Sequence, residues 1–399
     1  MNQRANPQPG AATPTRAECH AWEHALNSQP LTYGEYQAAR YFPALDGFRA
    51  VACLLVITWH AHFLGWEALN GYTGVAAFFV LSGFLITTLA LREEARRGAL
   101  CLRAFYVRRA LRIFPAYYSV LALYCAIIYG LDIPSNIEDR PAFSLALPYY
   151  LAYMNEYSAE SVLRLYGDFP PFFHSWSLGV EEKFYLLWPL LGFALCRRNT
   201  PGRLAIAVSV IACFYLFNDV PLVGLFELRH YSCILTGCML AVLMENRATY
   251  AALSRLASPP VHLLTFGLLL LAHFGQTHSM IGWYSWVYPY AVALFLIGLV
   301  AGRTPITLVF KSSALVFVGL RTYELYLVHI LAQNAVEIVL KPGDPVPLWL
   351  SPLYFLACLT ASMICAEILH RTVDKPLIAL GHRLSARMMG TGVRVPLER

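Results

Sequence analysis

Arg49 and His60 are the two residues whose types and spacing first suggest chemistry, because both lie in the single apolar stretch that runs from Leu45 to His60. Eleven residue steps make almost three turns of an α-helix, so the two side chains share a face and lie about 16 Å apart along the axis. Asp46 falls near the same face and can pair with the guanidinium. Charged and titratable groups are costly in a membrane helix, so by default they face the protein interior and suggest a function.

The polar residues of this stretch could also have a purely structural role. Asp46 and Arg49 could simply lie at the membrane surface, and His60 could be a packing residue. His62 follows two residues later and points to nearly the opposite side of the helix. Composition does not separate the two histidines, but the shared face with Arg49 favours His60 as the functional one.

Arg109 and Arg112 lie three residues apart where the next basic segment enters the membrane, so they also share a helix face. Arginine suits phosphate because its fork of donors binds oxygens in pairs and does not deprotonate. A phosphate-rich cytoplasmic donor, such as a coenzyme A thioester, would fit these two residues. The alternative is that arginines at this boundary follow from membrane topology alone.

A further polar group, Trp176, Ser177, Glu181 and Glu182, lies at the outer start of another apolar helix. In the structural interpretation, Ser177 is the N-cap and both acids lie in the first turns, where the helix dipole favours a carboxylate. In the functional one, Trp176 offers a stacking face to a sugar ring and a glutamate supports a catalytic group.

Tyr326 and His329 are three residues apart and share a face near the outer side of a late helix. Asp374, followed by lysine and proline, is typical of the end of the last helix. Gly74 and the Ser82-Gly83 pair are small residues that favour close packing of helices, with Ser82 able to bond across them.

The composition places these motifs in a membrane. Of 399 residues, 58% are hydrophobic and only 14% are charged, with a mean hydropathy of +0.51, whereas soluble domains carry roughly a quarter charged residues. The chain is therefore predicted to be an all-α, polytopic membrane protein. The net charge of +6 follows the placement of basic links and indicates no nucleic-acid partner. Ten cysteines without C-x-x-C spacing indicate neither a disulfide framework nor a metal site.

About ten spanning helices are expected from the apolar runs, each near the ~20 residues that a bilayer requires. They are placed at 45–64, 72–91, 111–130, 177–196, 204–221, 225–244, 260–275, 283–301, 312–332 and 349–370. Residues 1–40 are expected to be a cytoplasmic N-terminal segment, 41–380 the transmembrane domain and 381–399 a cytoplasmic tail.

Arginine and lysine concentrate in every second link between these helices, namely 92–112, 197–203, 247–255, 303–311 and 371–387. This alternation predicts that both termini are cytoplasmic, with His60 towards the outer end of its helix. The one long outer link, about 131–176, is rich in proline and tyrosine, which favours an ordered cap over a cavity.

Five short stretches, in one order, carry a resemblance to a known family: Arg49-(ten residues)-His60, Phe78–Phe84, Arg109-x-x-Arg112, Trp176–Glu181 and Tyr323–His329. Together they resemble the acyltransferase-3 family of membrane proteins over about residues 41–380. The chain departs from the family at Ala76, where the family often has aspartate, and at Asp374, where it often has glutamate. Alanine at position 76 argues against a functional acid in the second helix of this chain. Aspartate at position 374 keeps the negative charge of the glutamate.

The resemblance implies transfer of an acyl group, usually acetyl, from cytoplasmic acyl-CoA to a hydroxyl, commonly on a carbohydrate or glycolipid of the cell envelope, at the bacterial inner membrane. Acyl-CoA would be the donor substrate, with no permanently bound cofactor. Histidine fits the base that a hydroxyl requires, because its ordinary pKa lies near neutral pH. Whether His60 deprotonates the acceptor or first takes the acyl group itself stays open.

The residues assigned to catalysis on this basis are His60, Arg49, Asp46 and Glu181. Arg109 and Arg112 are assigned to the donor, and Trp176, Ser177, Glu182, Tyr326 and His329 to substrate binding. The rival outside enzymes is a secondary transporter, which also keeps buried charges but commonly has paired broken helices, and the sequence indicates none. The rival among enzymes is an acyltransferase for a small molecule or glycolipid.

Overall fold

The computed structural model describes residues 29–61, 66–216, 229–275, 284–341 and 346–390, and within these ranges all regular secondary structure is helical. The all-α prediction is therefore confirmed for the described residues. His62 lies outside them, as do most of the N-terminal segment and the last residues of the tail.

Seventeen helices, numbered in chain order, make up the described fold. They are α1 (Tyr33–Ala38), α2 (Pro43–His60), α3 (Thr73–Arg97), α4 (Leu102–Gly130), α5 (Pro134–Leu151), α6 (Asn155–Tyr166), α7 (Trp176–Pro189), α8 (Thr200–Leu216), α9 (Arg229–Met244), α10 (Arg247–Leu253), α11 (Pro259–Phe274), α12 (Tyr284–Ala301), α13 (Pro305–Phe310), α14 (Ser313–Gly319), α15 (Thr322–Leu340), α16 (Ser351–Leu369) and α17 (Lys375–Met388). Short 3₁₀ turns precede α3 and α7, and π turns follow α7 and α16.

Three described segments are long and apolar enough to cross a bilayer, namely Trp66–Arg97, Leu102–Gly130 and Ser351–Met388. Two bent helix pairs raise this number to five if each pair is one span. Several other apolar helices are shorter, and four expected spans, 45–64, 204–221, 225–244 and 283–301, lie partly outside the described residues. The fold is thus compatible with a membrane protein, and the number of ten spans stays a prediction.

The two bent pairs correct the expectation that the chain has no broken helices. The segment Arg247–Ala257 meets α11 at 81°, and α14 meets α15 at 76°. The first bend follows from Pro259 and Pro260, because proline disfavours helical geometry in the residue before it. The second bend comes directly after Gly319, the last residue of α14, where the chain packs closely against the backbone of α2.

Glycines allow the central helices to approach closely. A Cβ added to Gly83 of α3 would lie 1.9 Å from the carbonyl oxygen of Ile234 in α9, and one added to Gly237 would lie 1.9 Å from that of Val80. The backbones of α3 and α9 therefore touch, as small residues permit in membrane proteins. Gly74 packs in the same way against the carbonyl of Ala52 in α2, so the packing role expected of these small residues is confirmed.

Helix α2 is held by similar contacts. Pro43 starts it without a lost hydrogen bond, and Asp46 lies in its first turn. A Cβ on Gly47 would meet the carbonyl oxygen of Phe310 at 1.8 Å, and one on Gly319 would meet that of Asp46 at 2.0 Å. The helix that carries Arg49 is thereby fixed against α13 and α14.

The long link after α4 is ordered as expected, because it folds into α5 and α6. The expectation that Asp374 ends the last helix is wrong. A π turn, His370–Asp374, follows α16, and α17 continues from Lys375 to Met388 and packs on α4. Proline is tolerated here because Pro376 lies in the first turn of α17.

Candidate functional site

Arg49 and Asp46 form the ion pair that their spacing predicts. The guanidinium Nη1 donates to Asp46 Oδ1 at 3.0 Å, and the carboxylate is buried. The second carboxylate oxygen, Oδ2, has no hydrogen-bond partner among the described residues. The Asp46 carboxylate therefore lies in the protein interior, whereas the Arg49 side chain is partly exposed, at 24%.

Five arginines of the basic links are held by glutamates in ion pairs. They are Arg92 with Glu245 at 2.9 Å, Arg108 with Glu93 at 2.7 Å, Arg203 with Glu94 at 2.6 Å, Arg303 with Glu35 and Arg371 with Glu367. Arg109 and Arg112 have no carboxylate oxygen within 4.0 Å in the part of the chain that the structure describes. The positive charges of Arg109 and Arg112 are thus not neutralised by an ion pair among the described residues.

Arg109 lies over the ring of Tyr185, with the guanidinium carbon 5.2 Å from the ring centre. The Tyr185 hydroxyl donates to Glu181 Oε2 at 2.9 Å and is contacted by the hydroxyl of Ser82. The charges of Arg49 and Arg109 both act on the Glu181 carboxylate. We call Arg49, Arg109, Arg112, Glu181, Glu182 and Tyr185 the arginine cluster; Glu182 belongs to it because its charge interacts with those of Glu181 and Arg109.

A second polar group surrounds Tyr326 of α15. Its hydroxyl donates to the backbone carbonyl of His174, so the Ser177 hydroxyl, 2.7 Å away, donates to the Tyr326 oxygen. Ser177, Tyr326 and His174 are all buried. This contact joins α7 to α15.

His60 and His329 form a pair between α2 and α15. His329 Nε2 lies 3.4 Å from His60 Nδ1, and the ring centres are 5.0 Å apart. His329 Nδ1 donates to the carbonyl of Tyr326 at 2.7 Å, which leaves a lone pair on Nε2, because a neutral imidazole carries one N–H. His60 Nδ1 is 2.9 Å from the carbonyl of Val56, so its proton is assigned to Nδ1 and its lone pair to Nε2.

His174 completes a group of three histidines. Its ring lies edge-on to that of His329, with centres 5.2 Å apart, and its Nε2 contacts the carbonyl of Leu327 at 3.3 Å. His174 Nδ1 is buried and has no hydrogen-bond partner among the described residues. We call His60, His174, His329, Tyr326 and Ser177 the histidine cluster.

One face of α7 connects the two clusters. Ser177, Glu181 and Tyr185 follow one another at four-residue intervals and therefore form a stripe about 12 Å long. Ser177 lies in the histidine cluster, and Tyr185 lies in the arginine cluster. On α2 the same two ends are occupied by His60 and Arg49. A polar stripe thus runs between the clusters on α7, while α2 places Arg49 at one cluster and His60 at the other, with apolar residues such as Cys53 and Val56 between them.

Trp176 lies on another side of α7, with its ring centre 4.7 Å from that of His230 and 6.2 Å from that of Phe79. Trp176 and Glu181 were predicted to belong to one polar group, but five helical steps turn the Glu181 side chain about 140° away from that of Trp176. Glu181 points to the arginine cluster instead. The roles assigned to these residues stay predictions.

The N-cap expected at Ser177 is wrong. A 3₁₀ turn, Phe173–Ser175, leads into α7, so the helix begins at Trp176 and Ser177 lies inside it. Its side chain contacts Tyr326 and caps nothing, and neither Glu181 nor Glu182 lies in the first turn. The structural explanation offered for the two acids therefore does not apply.

His174 and Tyr185 were not predicted to be functional residues. The four-residue spacing of Ser177, Glu181 and Tyr185 was a signal that could have identified Tyr185, whereas His174 reaches the site through long-range contacts, which the spacing in one sequence does not reveal. The hydrogen bond across helices that was expected of Ser82 is confirmed by its contact with Tyr185. The comparison of His60 with His62 stays a prediction, because His62 lies outside the described residues.

Comparison with known proteins gives one family. The family model described as "Acyltransferase domain" matches residues 42–371. The chain is similar to the O-acetyltransferase OatA of Staphylococcus aureus (strain NCTC 8325 / PS 47), with 28% identity over 377 residues, covering 87% of this chain and 59% of OatA. It is also similar to the "Putative peptidoglycan O-acetyltransferase YrhL" of Bacillus subtilis (strain 168), with 27% identity over 388 residues, covering 89% of this chain and 58% of YrhL. The chain thus spans about three fifths of the length of these curated relatives. No solved structure matches it.

Proposed function

The chain belongs to the acyltransferase-3 family, and from this premise we propose that it is a membrane O-acyltransferase. It moves an acyl group, most simply acetyl, from acyl-CoA to a hydroxyl of a cell-envelope carbohydrate. The names of OatA and YrhL support O-acetyl transfer, and that of YrhL supports an envelope acceptor. The observation that carries the proposal is that α2 and α7 each join a phosphate-suited arginine cluster to the histidine cluster, in which His60 pairs with His329.

The donor binds through Arg109 and Arg112. Neither is held by a carboxylate in the described residues, in contrast to Arg92 and Arg108. A guanidinium without an ion-pair partner is available to phosphate, which it binds with two donors at once. The distance of about 16 Å between Arg49 and His60 suits a donor that has its phosphates at one end of a long arm and its thioester at the other.

His60 is the general base. With its proton on Nδ1 towards Val56 and His329, its Nε2 carries the lone pair that accepts a proton. His329 Nε2 lies on the Nδ1 side of His60, so it is placed to stabilise the imidazolium that forms. His329 is therefore a positioning residue. It acts on the Nδ1 side of His60, as the aspartate of a serine hydrolase triad orients the catalytic histidine through its Nδ1–H.

The acyl group is transferred through an exchange of bonds at the thioester carbon, with His60 carrying the proton. His60 Nε2 takes the proton of the acceptor hydroxyl while the hydroxyl oxygen forms a bond to the thioester carbonyl carbon. The carbon–sulfur bond breaks, and the coenzyme leaves as a thiolate that recovers the proton from His60. General-base assistance of this kind is typically worth ~10²–10⁴ in rate.

The acceptor enters from the histidine end. Trp176 offers an aromatic face near that end, packed on Phe79 and His230, and Ser177 and Tyr326 add hydroxyl groups. Sugar rings bind to such surfaces through their apolar faces while their hydroxyls bond to polar groups. Glu182 and Glu181 lie with the arginines, where their charges hold the cluster in place.

The membrane arrangement is part of the proposal. Ten spans, both termini in the cytoplasm and residence in a bacterial inner membrane place the arginine cluster at the cytoplasmic side, where acyl-CoA is made. Single cysteines at the exposed positions Arg96 and Arg383, in a chain whose native cysteines are replaced, test the orientation. Labelling of either site by an impermeant thiol reagent in intact cells would contradict it.

A secondary transporter is the second candidate, because the two bent helix pairs are a feature of such folds. One bend lies just before Tyr326 and His329, at the start of α15. Purified protein in liposomes separates the candidates. The acyltransferase produces an acylated sugar and free coenzyme A thiol in equal amounts, whereas a transporter moves solute without a chemical product.

Mass spectrometry of surface glycans, with and without the protein, tests the acceptor. We expect a mass increase of one acetyl group on an envelope glycan, lost when His60 is replaced by alanine. Unchanged glycans together with an acylated small molecule or glycolipid would favour the rival enzyme. Release of thiol without any acylated product would contradict both.

A further inference from the structure

Three potential metal ligands converge near Arg112, one of the two proposed donor arginines. Glu324 lies in the first turn of α15, and His370 and Asp374 lie at the two ends of the π turn after α16. His370 Nδ1 is 2.5 Å from Glu324 Oε1, and the ligand atoms of all three side chains lie within 4.8 Å of one another. Because Glu324 and His370 are 46 residues apart, no local spacing in the sequence indicated this group.

The two carboxylates are buried together. Glu324 is 3% exposed and Asp374 is 1% exposed. Asp374 Oδ1 accepts no hydrogen bond from any described residue, although a buried oxygen left without a partner is costly. Adjacent carboxylates in a low-dielectric site repel unless they share a proton or bind a cation. The unsatisfied oxygen therefore indicates a missing electrophile.

We propose that Glu324, His370 and Asp374 bind one divalent cation of the zinc or manganese type. Two carboxylate oxygens and one imidazole nitrogen are a ligand set that both metals accept. Because zinc–ligand bonds are ~2.0–2.2 Å long, the hydrogen-bonded pair Glu324–His370 separates by roughly 1 Å when the metal replaces the shared proton. The cation satisfies Asp374 Oδ1 and ties α15 to the π turn.

A cation at this site would also affect binding of the acyl-CoA donor, an effect that rests on the proposed function. The Asp374 carboxylate acts on the charge of Arg112. A cation on Asp374 offsets this attraction and adds positive charge beside the residues that receive the phosphates. Cation binding itself needs no acyl transfer, so it is tested separately.

The test is metal binding by the purified, detergent-solubilised full chain carrying an affinity tag without histidines. The protein is stripped with a chelator and dialysed against Zn²⁺ or Mn²⁺, and bound metal is measured by elemental mass spectrometry. We expect one equivalent in the wild type. Asp374→Asn and His370→Gln should each weaken binding by about 10-fold or more, as loss of a ligand or its support typically does.

Glu367→Gln is the matched control. Glu367 lies in the last turn of α16, three residues before His370, but pairs with Arg321 and Arg371, so its variant should bind metal as the wild type does. Substoichiometric metal in the wild type, or equal binding in all four proteins, would overturn the proposal. If Asp374→Asn does not fold, as judged by its elution and melting profile, Glu324→Gln and His370→Gln decide. None of these outcomes depends on enzymatic activity.

Discussion

The arginine cluster and the histidine cluster occupy the two ends of the same helices but differ in charge and exposure. Arg112 is exposed and Arg49 and Arg109 are partly so, whereas His329 and His174 are buried. The arginine end holds fixed charges in reach of solvent. At the histidine end His60 is partly exposed, but the other polar groups are buried and contact mainly backbone carbonyls and neighbouring rings.

This difference indicates a division of labour. Binding a charged donor needs a cluster that stays charged and open, because the ligand must enter it. Proton transfer needs oriented groups shielded from water, where each electrostatic contact is stronger. The comparison therefore predicts that substitutions at the arginine end change donor binding and that those at the histidine end change the rate of transfer.

The largest effect is expected at His60. His60→Ala should lower the rate of acyl transfer by ~10²–10⁴, the usual contribution of a general base, with donor KM little changed. Transfer is measured in membranes that contain matched amounts of each variant. His62→Ala is the control and should be mild, because helical spacing in the sequence predicts that His62 lies off the face shared by Arg49 and His60. Equal loss in both variants would remove the distinction between them.

The next effect is expected at the arginine end. Arg109→Ala and Arg112→Ala should each raise donor KM by roughly 10- to 150-fold, since a hydrogen bond to a charged group is worth ~1.5–3 kcal/mol. Acceptor KM should stay close to that of the wild type. Arg103→Ala serves as the control, because Arg103 is an exposed arginine in the first turn of the same helix. An unchanged donor KM in both test variants would exclude them from the donor site.

His329 should show a smaller effect on rate. His329→Ala removes the acceptor that faces His60 Nδ1, and loss of one hydrogen bond of ~1–1.5 kcal/mol corresponds to about a tenfold lower rate. His329→Gln keeps an acceptor and should recover part of the activity at the same protein level. If glutamine is no better than alanine, His329 acts through packing alone.

The smallest effect is expected at Trp176. Trp176→Ala should raise acceptor KM only a few-fold, because an aromatic contact is worth ~0.5–1.5 kcal/mol. Trp349→Ala is the control, since Trp349 is 81% exposed and lies far along the chain. Normal acceptor kinetics in Trp176→Ala would leave this residue a packing role against His230 and Phe79.

The sequence allowed the helical class, the ion pair of Asp46 with Arg49 and the shared faces of Arg49 with His60 and of Tyr326 with His329 to be predicted. All of these depend on helical periodicity, which is local. The bends before α11 and α15 were missed, although two prolines mark the first. The second depends on contact between Gly319 and α2, and such a contact is invisible in one sequence.

The candidate site was predictable in part for the same reason. Arg49 and His60 on α2 lie at helical spacing, as do Ser177, Glu181 and Tyr185 on α7, so the sequence alone predicts that the members of each set share a helix face. The contacts of His60 with His329 and of Ser177 with Tyr326 join segments 269 and 149 residues apart. The sequence also could not distinguish Arg109 from Arg108, because only the fold shows that Glu93 holds the latter.

Donor binding measured apart from turnover tests the division of labour most directly. A non-reactive acetyl-CoA analogue is titrated calorimetrically into purified wild type, His60→Ala and Arg109→Ala. We predict that His60→Ala binds the analogue as tightly as the wild type but transfers acetyl groups from acetyl-CoA ~10²–10⁴ times more slowly. Arg109→Ala should bind it at least about 10-fold more weakly. Loss of binding in His60→Ala with retention in Arg109→Ala would contradict the account.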